Sequence, residues 1–288
     1  MNEIRKNRIK YCQGQNDKNF ILIGLQQQSI DISVIYQFRE LLRALVLRQL
    51  TVRYKQTAVG LIWILLQPLI MMAILSVVFK SLPGLSPKNI PYPLFILSAY
   101  VPWLVLARII GEGTSSIVSE QSLIARVFFP RIIVPLSVVV VGAFDFFILI
   151  VFFLIGYFIV LPEFISIRLL ALPLFIMILL IAGSGIIFWT SALNVRYRDF
   201  TIIVPFFLSI VFFLTPIIYT SNFWPKEYVA ILSFNPMLVI VDGFRWALFG
   251  TEFGPLLGKL TSLFSSIFIF ITGLWFFGKS ADDFVDNI

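Results

Sequence analysis

Six stretches of this chain stay apolar for about as long as a bilayer is thick, and this limits the possible folds more than any other feature. A hydrocarbon core of roughly 30 Å takes about 20 helical residues to cross. Inside it every backbone N–H and C=O must find a partner within the protein, which leaves helices or closed barrels. The runs, at about 59–79, 92–111, 132–161, 169–193, 200–220 and 256–278, are continuous rather than alternating. They predict an all-α integral membrane fold with six transmembrane helices. The third run is longer than a bilayer needs, and Pro135 marks it for a bend.

Charge sets the orientation. With both termini in the cytoplasm, 16 of the 22 Lys and Arg fall on the inner side, and the opposite orientation inverts that bias. The net charge of +7 therefore needs no nucleic-acid partner. Its basic residues gather ahead of the first apolar run, as in a flank facing anionic lipid.

Between and before the runs lie segments of other kinds. Residues 1–30 are a polar cytoplasmic tail. Over 31–58, Ile35, Phe38, Leu41, Leu42 and Leu45 recur at helical spacing with Arg39, Glu40, Arg43 and Arg48 among them. This predicts an amphipathic helix lying in the interface, its basic side toward headgroups and cytoplasm. A six-span domain occupies 59–280 and a cytoplasmic C-terminus 281–288. Ahead of the last run, Tyr228–Leu248 is half apolar but broken by Asn235-Pro236, Asp242 and Arg245. That is too polar for a lipid-facing span and predicts two short re-entrant or surface helices packed against protein.

Residues that do covalent chemistry are scarce. The chain has no histidine, and its single cysteine, Cys12, has no intrachain partner for a disulfide. Asp145 is the one acidic residue deep in an apolar run. It is either a functional group or a carboxylate bonded to a neighbouring helix. The string from Gly273 to Gly278-Lys279-Ser280 fits the G-x-x-x-x-G-K-[ST] pattern letter for letter. A phosphate cradle, however, needs free backbone N–H groups in a loop after a strand, and here the variable positions are bulky and continue a membrane helix. No nucleotide, cofactor or metal site is expected. The 31 Phe include candidates for a slippery aromatic lining on which sugar rings stack. Trp63, Phe207, Phe212, Phe213 and Tyr219 are the residues singled out, and an interfacial belt is the competing role for the Trp and Tyr.

The loops are more specific than the spans. Arg53-Tyr54-Lys55-Gln56-Thr57-Ala58-Val59-Gly60-Leu61-Ile62-Trp63 runs to Gln67-Pro68. Later come Glu120-Gln121-Ser122-Leu123-Ile124-Ala125-Arg126-Val127-Phe128-Phe129-Pro130-Arg131, then Leu193-Asn194-Val195-Arg196-Tyr197-Arg198-Asp199, then Thr215-Pro216-Ile217-Ile218-Tyr219 with Asn235-Pro236-Met237. In this order they resemble the motifs of type-2 ABC exporter permeases for O-antigen, capsule or teichoic acid. Glu120 and Ala125 stand where that family more often has a small polar residue and a lysine.

The resemblance implies a non-catalytic permease of the bacterial inner membrane that pairs with a second copy of itself and with two cytoplasmic ATPase subunits, which carry the ATP and magnesium. It also implies a lipid-linked polysaccharide as substrate. Under it, the segment around Ser119–Phe128 is a helix coupled to the ATPase, with Leu123, Ile124 and Val127 anchoring and Glu120, Ser122, Arg126 and Arg131 orienting. Arg53, Tyr54 and Lys55 would meet the carrier's phosphate at the inner face. An exporter of another lipid or a drug is the alternative within the class. A membrane-embedded glycosyl- or phosphotransferase is the alternative outside it.

Overall fold

The computed structural model describes residues 32–55, 60–79, 90–162 and 166–280. The tail 1–30, Gln56–Val59 of the first motif and the 281–288 terminus lie outside the described residues. A short helix α1 (Ile32–Gln37) leads into α2 (Arg39–Lys55). The long apolar helices are α3 (Gly60–Phe79), α4 (Tyr92–Ser119), α6 (Ile133–Val160), α7 (Leu172–Arg196) and α11 (Leu256–Ser280). Each is long and apolar enough to cross a membrane. The six-residue α5 (Gln121–Arg126) sits between α4 and α6. The expected fifth span is helical over α8 (Phe200–Leu214), 15 residues or about 22 Å, and so falls short of the other five. It stops because Pro216 has no N–H for the next turn and the Thr215 hydroxyl turns back to the Val211 carbonyl at 2.7 Å.

Pro135 produces no break. It lies in the first turn of α6, where the missing N–H has no intrahelical partner to lose, and the helix runs on unbroken for 28 residues. The segment before the last span forms two short helices, α9 (Lys226–Leu232) and α10 (Met237–Phe249). Asn235 sets the start of α10: its side-chain oxygen accepts from the Met237 N–H at 2.9 Å while its amide donates to Thr215 at 3.0 Å. Gly250 ends it in the left-handed region, φ +66°, its N–H bonded to the Trp246 carbonyl.

Helix α4 is the hub, most of its length buried, with α3, α6, α7, α8 and α10 all packed on it. On its far side α7 lies against α11 with almost no space between the backbones. A Cβ on Gly185 would come within 2.6 Å of the Phe270 backbone, so only glycine fits there. Helices α3, α8 and α11 form the periphery and carry exposed apolar faces, including Val77, Ile202 and Phe264. In water such faces would be a liability; against lipid or another membrane chain they are the expected surface.

Helix α10 is buried along nearly its whole length, which forces its polar residues to find partners. Arg245 donates to the carbonyls of Ile217 (2.9 Å) and Tyr219 (3.0 Å), groups left open where α8 ends, and its guanidinium lies 3.6 Å from the Phe95 ring centre. Asp242 accepts from Lys259 of α11 and from the Ser221 hydroxyl at 2.5 Å. These bonds fasten the α8–α10 segment to the hub and to the last span.

Candidate functional site

Helix α2 presents Arg48, Gln49, Val52 and Arg53 on one face, the i, i+1, i+4, i+5 pattern of a single helical side. The last turns of α4 present Glu112, Ser115, Ser116, Ser119 and Glu120. The two faces oppose each other. Arg48 pairs with Glu120, and Arg53 reaches two acids at once, Nη2 to Glu112 and Nη1 to Asp145 of α6. Toward α6, Gln49 donates to Ser137 at 2.9 Å. The basic side of α2 is thus divided. Arg39 and Arg43 are exposed, whereas Arg48 and Arg53 turn onto α4 and α6.

Asp145 is the centre of the network. It is fully buried and accepts from Arg53, from the Tyr54 hydroxyl and from Arg108 of α4 at 3.1 Å. Arg108 also donates to Gln67 of α3 at 3.1 Å, so one carboxylate joins three helices and reaches a fourth through Arg108. Burial by itself would lower the Arg53 pKa, but the charges of Glu112 and Asp145 outweigh it and hold the guanidinium more firmly protonated than usual. The Tyr54 phenol is pushed well above its ordinary pKa by burial and by the bond to Asp145, so it stays a donor.

Beside the ion pairs is a cavity of about 900 Å³. One side is charged and hydroxylic. The rest is apolar, with Trp63 and Ile64 from α3 and Val134 and Val138 from α6, while Val52 stands among the polar residues of α2. An elongated ligand with an anionic or hydroxyl-rich end and a hydrocarbon body matches that division.

Of the residues expected at the inner face, Arg53 and Tyr54 belong to this network, while Lys55 is exposed outside it. The coupling segment divides as well. Leu123 and Ile124 pack against the core, whereas Val127 and the neighbouring Phe128 (67% exposed) project outward. Ser122 and Arg126 are exposed, Arg131 is half-buried, and Glu120 is held by Arg48. Among the aromatics, Trp63 lines the cavity, and Phe207 and Phe213 lie on the exposed side of α8. Phe212 packs edge-on against Tyr100 and Trp103. Tyr219 turns into the protein, 8% exposed, its hydroxyl donating to the Phe213 carbonyl at 2.7 Å.

Sequence reasoning gave no site role to Arg108 or Glu112, set Arg48 only on the basic side of the interfacial helix, and left Phe128 at the end of the coupling segment without a role of its own. Arg108 and Glu112 were visible as opposite charges at i, i+4 in an apolar helix, although each binds a residue of another helix. Nothing local identified Phe128. The pattern Gly273–Ser280 lies inside the last turns of α11, a continuous helix with no loop to wrap a phosphate.

Residues 40–249 match the family described as ABC-2 type transporter. The chain is similar to the O-antigen export system permease protein RfbA of Klebsiella pneumoniae, 26% identical over 83% of this chain and 92% of that protein. It is also similar to the protein of the same name from Myxococcus xanthus, 27% identical over 73% of this chain and 81% of the relative. The polysialic acid transport protein KpsM of Escherichia coli is 22% identical over 69% of this chain and 77% of the relative.

Proposed function

Since the chain belongs to the ABC-2 type transporter family, we propose that it is the permease subunit of a bacterial inner-membrane exporter that moves a lipid-linked polysaccharide outward, driven by ATP hydrolysis on a separate subunit. The observation that carries this reading is the breadth of the match. It runs from α2 through α10, and the relatives that align over most of their length are named as O-antigen and polysialic acid transport proteins.

The geometry supplies plausible working parts for that task. The cavity between α2, α3, α4 and α6 offers the guanidinium groups of Arg48, Arg53 and Arg108 together with hydrocarbon surface, which suits a phosphate-bearing polyprenyl carrier. Arg53, Tyr54 and Lys55 mark the inner portal. The α5 segment is the contact with the ATPase, with Val127 and Phe128 as its apolar anchor and Ser122 and Arg126 beside them. Two permease copies and two ATPase copies complete the transporter, and both termini of each permease lie in the cytoplasm. ATP and magnesium act only on the ATPase, and this chain forms no covalent intermediate.

Purification in mild detergent from the native host tests the reading. A stoichiometric ATPase is expected to accompany the chain, and deletion of the gene should strand polysaccharide inside the cell. A homo-oligomer with no ATPase, from membranes that express one, would overturn it.

A further inference from the structure

The cations in the cavity already have anions. Arg48 is held by Glu120 and the Nη2 of Arg53 by Glu112, so a phosphate group that binds the same guanidinium nitrogens must take a carboxylate's place. The three carboxylates are not equivalent. The Asp145 side chain is fully buried and grips the other nitrogen, Nη1, of Arg53, whereas the Glu112 side chain is 43% exposed, and Glu120, itself 17% exposed, is paired with an Arg48 side chain that is 51% exposed. Ion pairs with an exposed member are weak and exchange readily, and a phosphate monoester, which carries more negative charge than a carboxylate and forms the same two parallel bonds, competes well for a guanidinium.

We propose that Glu112 and Glu120 are built-in stand-ins for the ligand. In this scheme a phosphate-bearing lipid headgroup entering the cavity displaces them from Arg53 and Arg48, while Asp145 keeps Arg53 in place. The inference rests on the permease reading and adds to it the way the loaded state is sensed. The two glutamates lie on α4, and Glu120 stands at the junction with α5. Exchanging carboxylate for phosphate therefore undoes the charge contacts between α2 and the end of α4, and frees the segment that carries Val127 and Phe128. The apolar wall of Trp63, Ile64, Val134 and Val138 favours a lipid phosphate over a soluble one.

The test uses the permease–ATPase complex in phosphatidylcholine nanodiscs, with Cys12→Ser to remove the single native cysteine. Spin labels on Ala44→Cys and Gln121→Cys, both exposed positions, report the α2–α5 separation. A polyprenyl phosphate should lengthen that distance. In Glu112→Gln/Glu120→Gln the longer distance should be present without lipid, and the half-saturating lipid concentration should fall on the order of tenfold. If the double variant does not purify as a monodisperse complex, Glu120→Gln alone should give a partial shift in the same direction.

A wild-type distance that stays short at saturating polyprenyl phosphate would refute the exchange. So would a glutamine variant that keeps the short distance and the native lipid affinity. Lengthening by inorganic phosphate alone would assign the site to a soluble anion and overturn the lipid assignment. Each of these results leaves the permease reading standing if the ATPase still copurifies; loss of the ATPase from the wild type would overturn the reading beneath.

Discussion

Replacing Asp145 by alanine should lower the thermal stability of the permease more than any single change on its surface. The carboxylate is fully buried and accepts from three donors on two other helices. Counting each bond to a charged group at about 1.5–3 kcal/mol gives a sum that is too large, since bonds within one network are not additive. Two observations reduce it. Arg53 keeps Glu112 and Arg108 keeps Gln67, and both guanidinium side chains retain some contact with solvent, 20% and 17% exposed. What remains is the rupture of one buried ionic contact, about 3–5 kcal/mol, and the remaining partners place the change near the lower end, about 3 kcal/mol. At about 2–4 °C per kcal/mol for a domain of this size, Tm should fall by roughly 6–12 °C.

The assay is tryptophan fluorescence during heating in mild detergent, using the six native tryptophans, at one fixed scan rate because such unfolding is seldom reversible. Asp145→Asn keeps the shape and one acceptor and should lose about half as much. Glu40→Gln is the control, since its ion pair with Arg39 is exposed and long at 3.8 Å. If Asp145→Ala melts no lower than that control, the three donors are satisfied by water rather than by the carboxylate, and the central role assigned to Asp145 is wrong.

Other expectations follow from the same contacts. Phe128→Asp should weaken retention of the ATPase on an affinity column with little change in Tm, because two thirds of Phe128 is exposed; unchanged retention would remove it from the interface. Lys259→Met leaves the buried Asp242 without its cation and should cost about 3 kcal/mol, read as a Tm loss that Lys259→Met/Asp242→Leu partly restores. Gly185→Val should force α7 and α11 apart and cost at least about 3 kcal/mol by overpacking, visible as loss of monodisperse protein. The raised pKa of the Tyr54 phenol makes the folded state hold that proton more tightly than the unfolded one. Its contribution is therefore complete below about pH 10 and declines at higher pH, so the alkaline fall in Tm should be smaller in Tyr54→Phe than in the native chain.

How far each feature could be read ahead depended on whether its cause was local. The helices α3, α4, α6, α7 and α11 follow from unbroken apolar length, and α10 from the Asn235-Pro236 start and the Gly250 stop. The fifth run was overextended because Ile217, Ile218 and Tyr219 are as apolar as a span, although Pro216 already bars them from the helix. Tyr219, an aromatic at a span end, resembled a pore residue. It is buried because the chain turns inward there and Arg245, 26 residues on, holds its carbonyl. Asp145 was recognisable as an anomaly from its neighbours alone, yet its partners come from Arg53 and Arg108, 92 and 37 positions away. The family resemblance implied that Leu123, Ile124 and Val127 together anchor the coupling segment. It gave no sign that the first two face the core and leave Phe128 to project with the third.

The manner in which α2 is attached bears on mechanism. A helix can be fastened to two others more strongly by leucines than by ion pairs, because removing charges from water offsets most of their attraction. Arg48, Arg53, Glu112, Glu120 and Asp145 are therefore a poor choice if the sole purpose is to hold α2 in place. They suit a contact that must be strong in one state and released in another, since an ionic contact can be replaced by a competing ion whereas a packed leucine cannot. The arrangement separates the two needs. Asp145, dry and bonded three ways, fixes the C-terminal end of α2 through Arg53 and Tyr54, and the pairs with a more exposed member, Arg53 with Glu112 and Arg48 with Glu120, border the cavity. The exchange proposed above therefore predicts that α2 pivots about its Asp145 end when the cavity is loaded, the Arg48 end moving further than the Arg53 end.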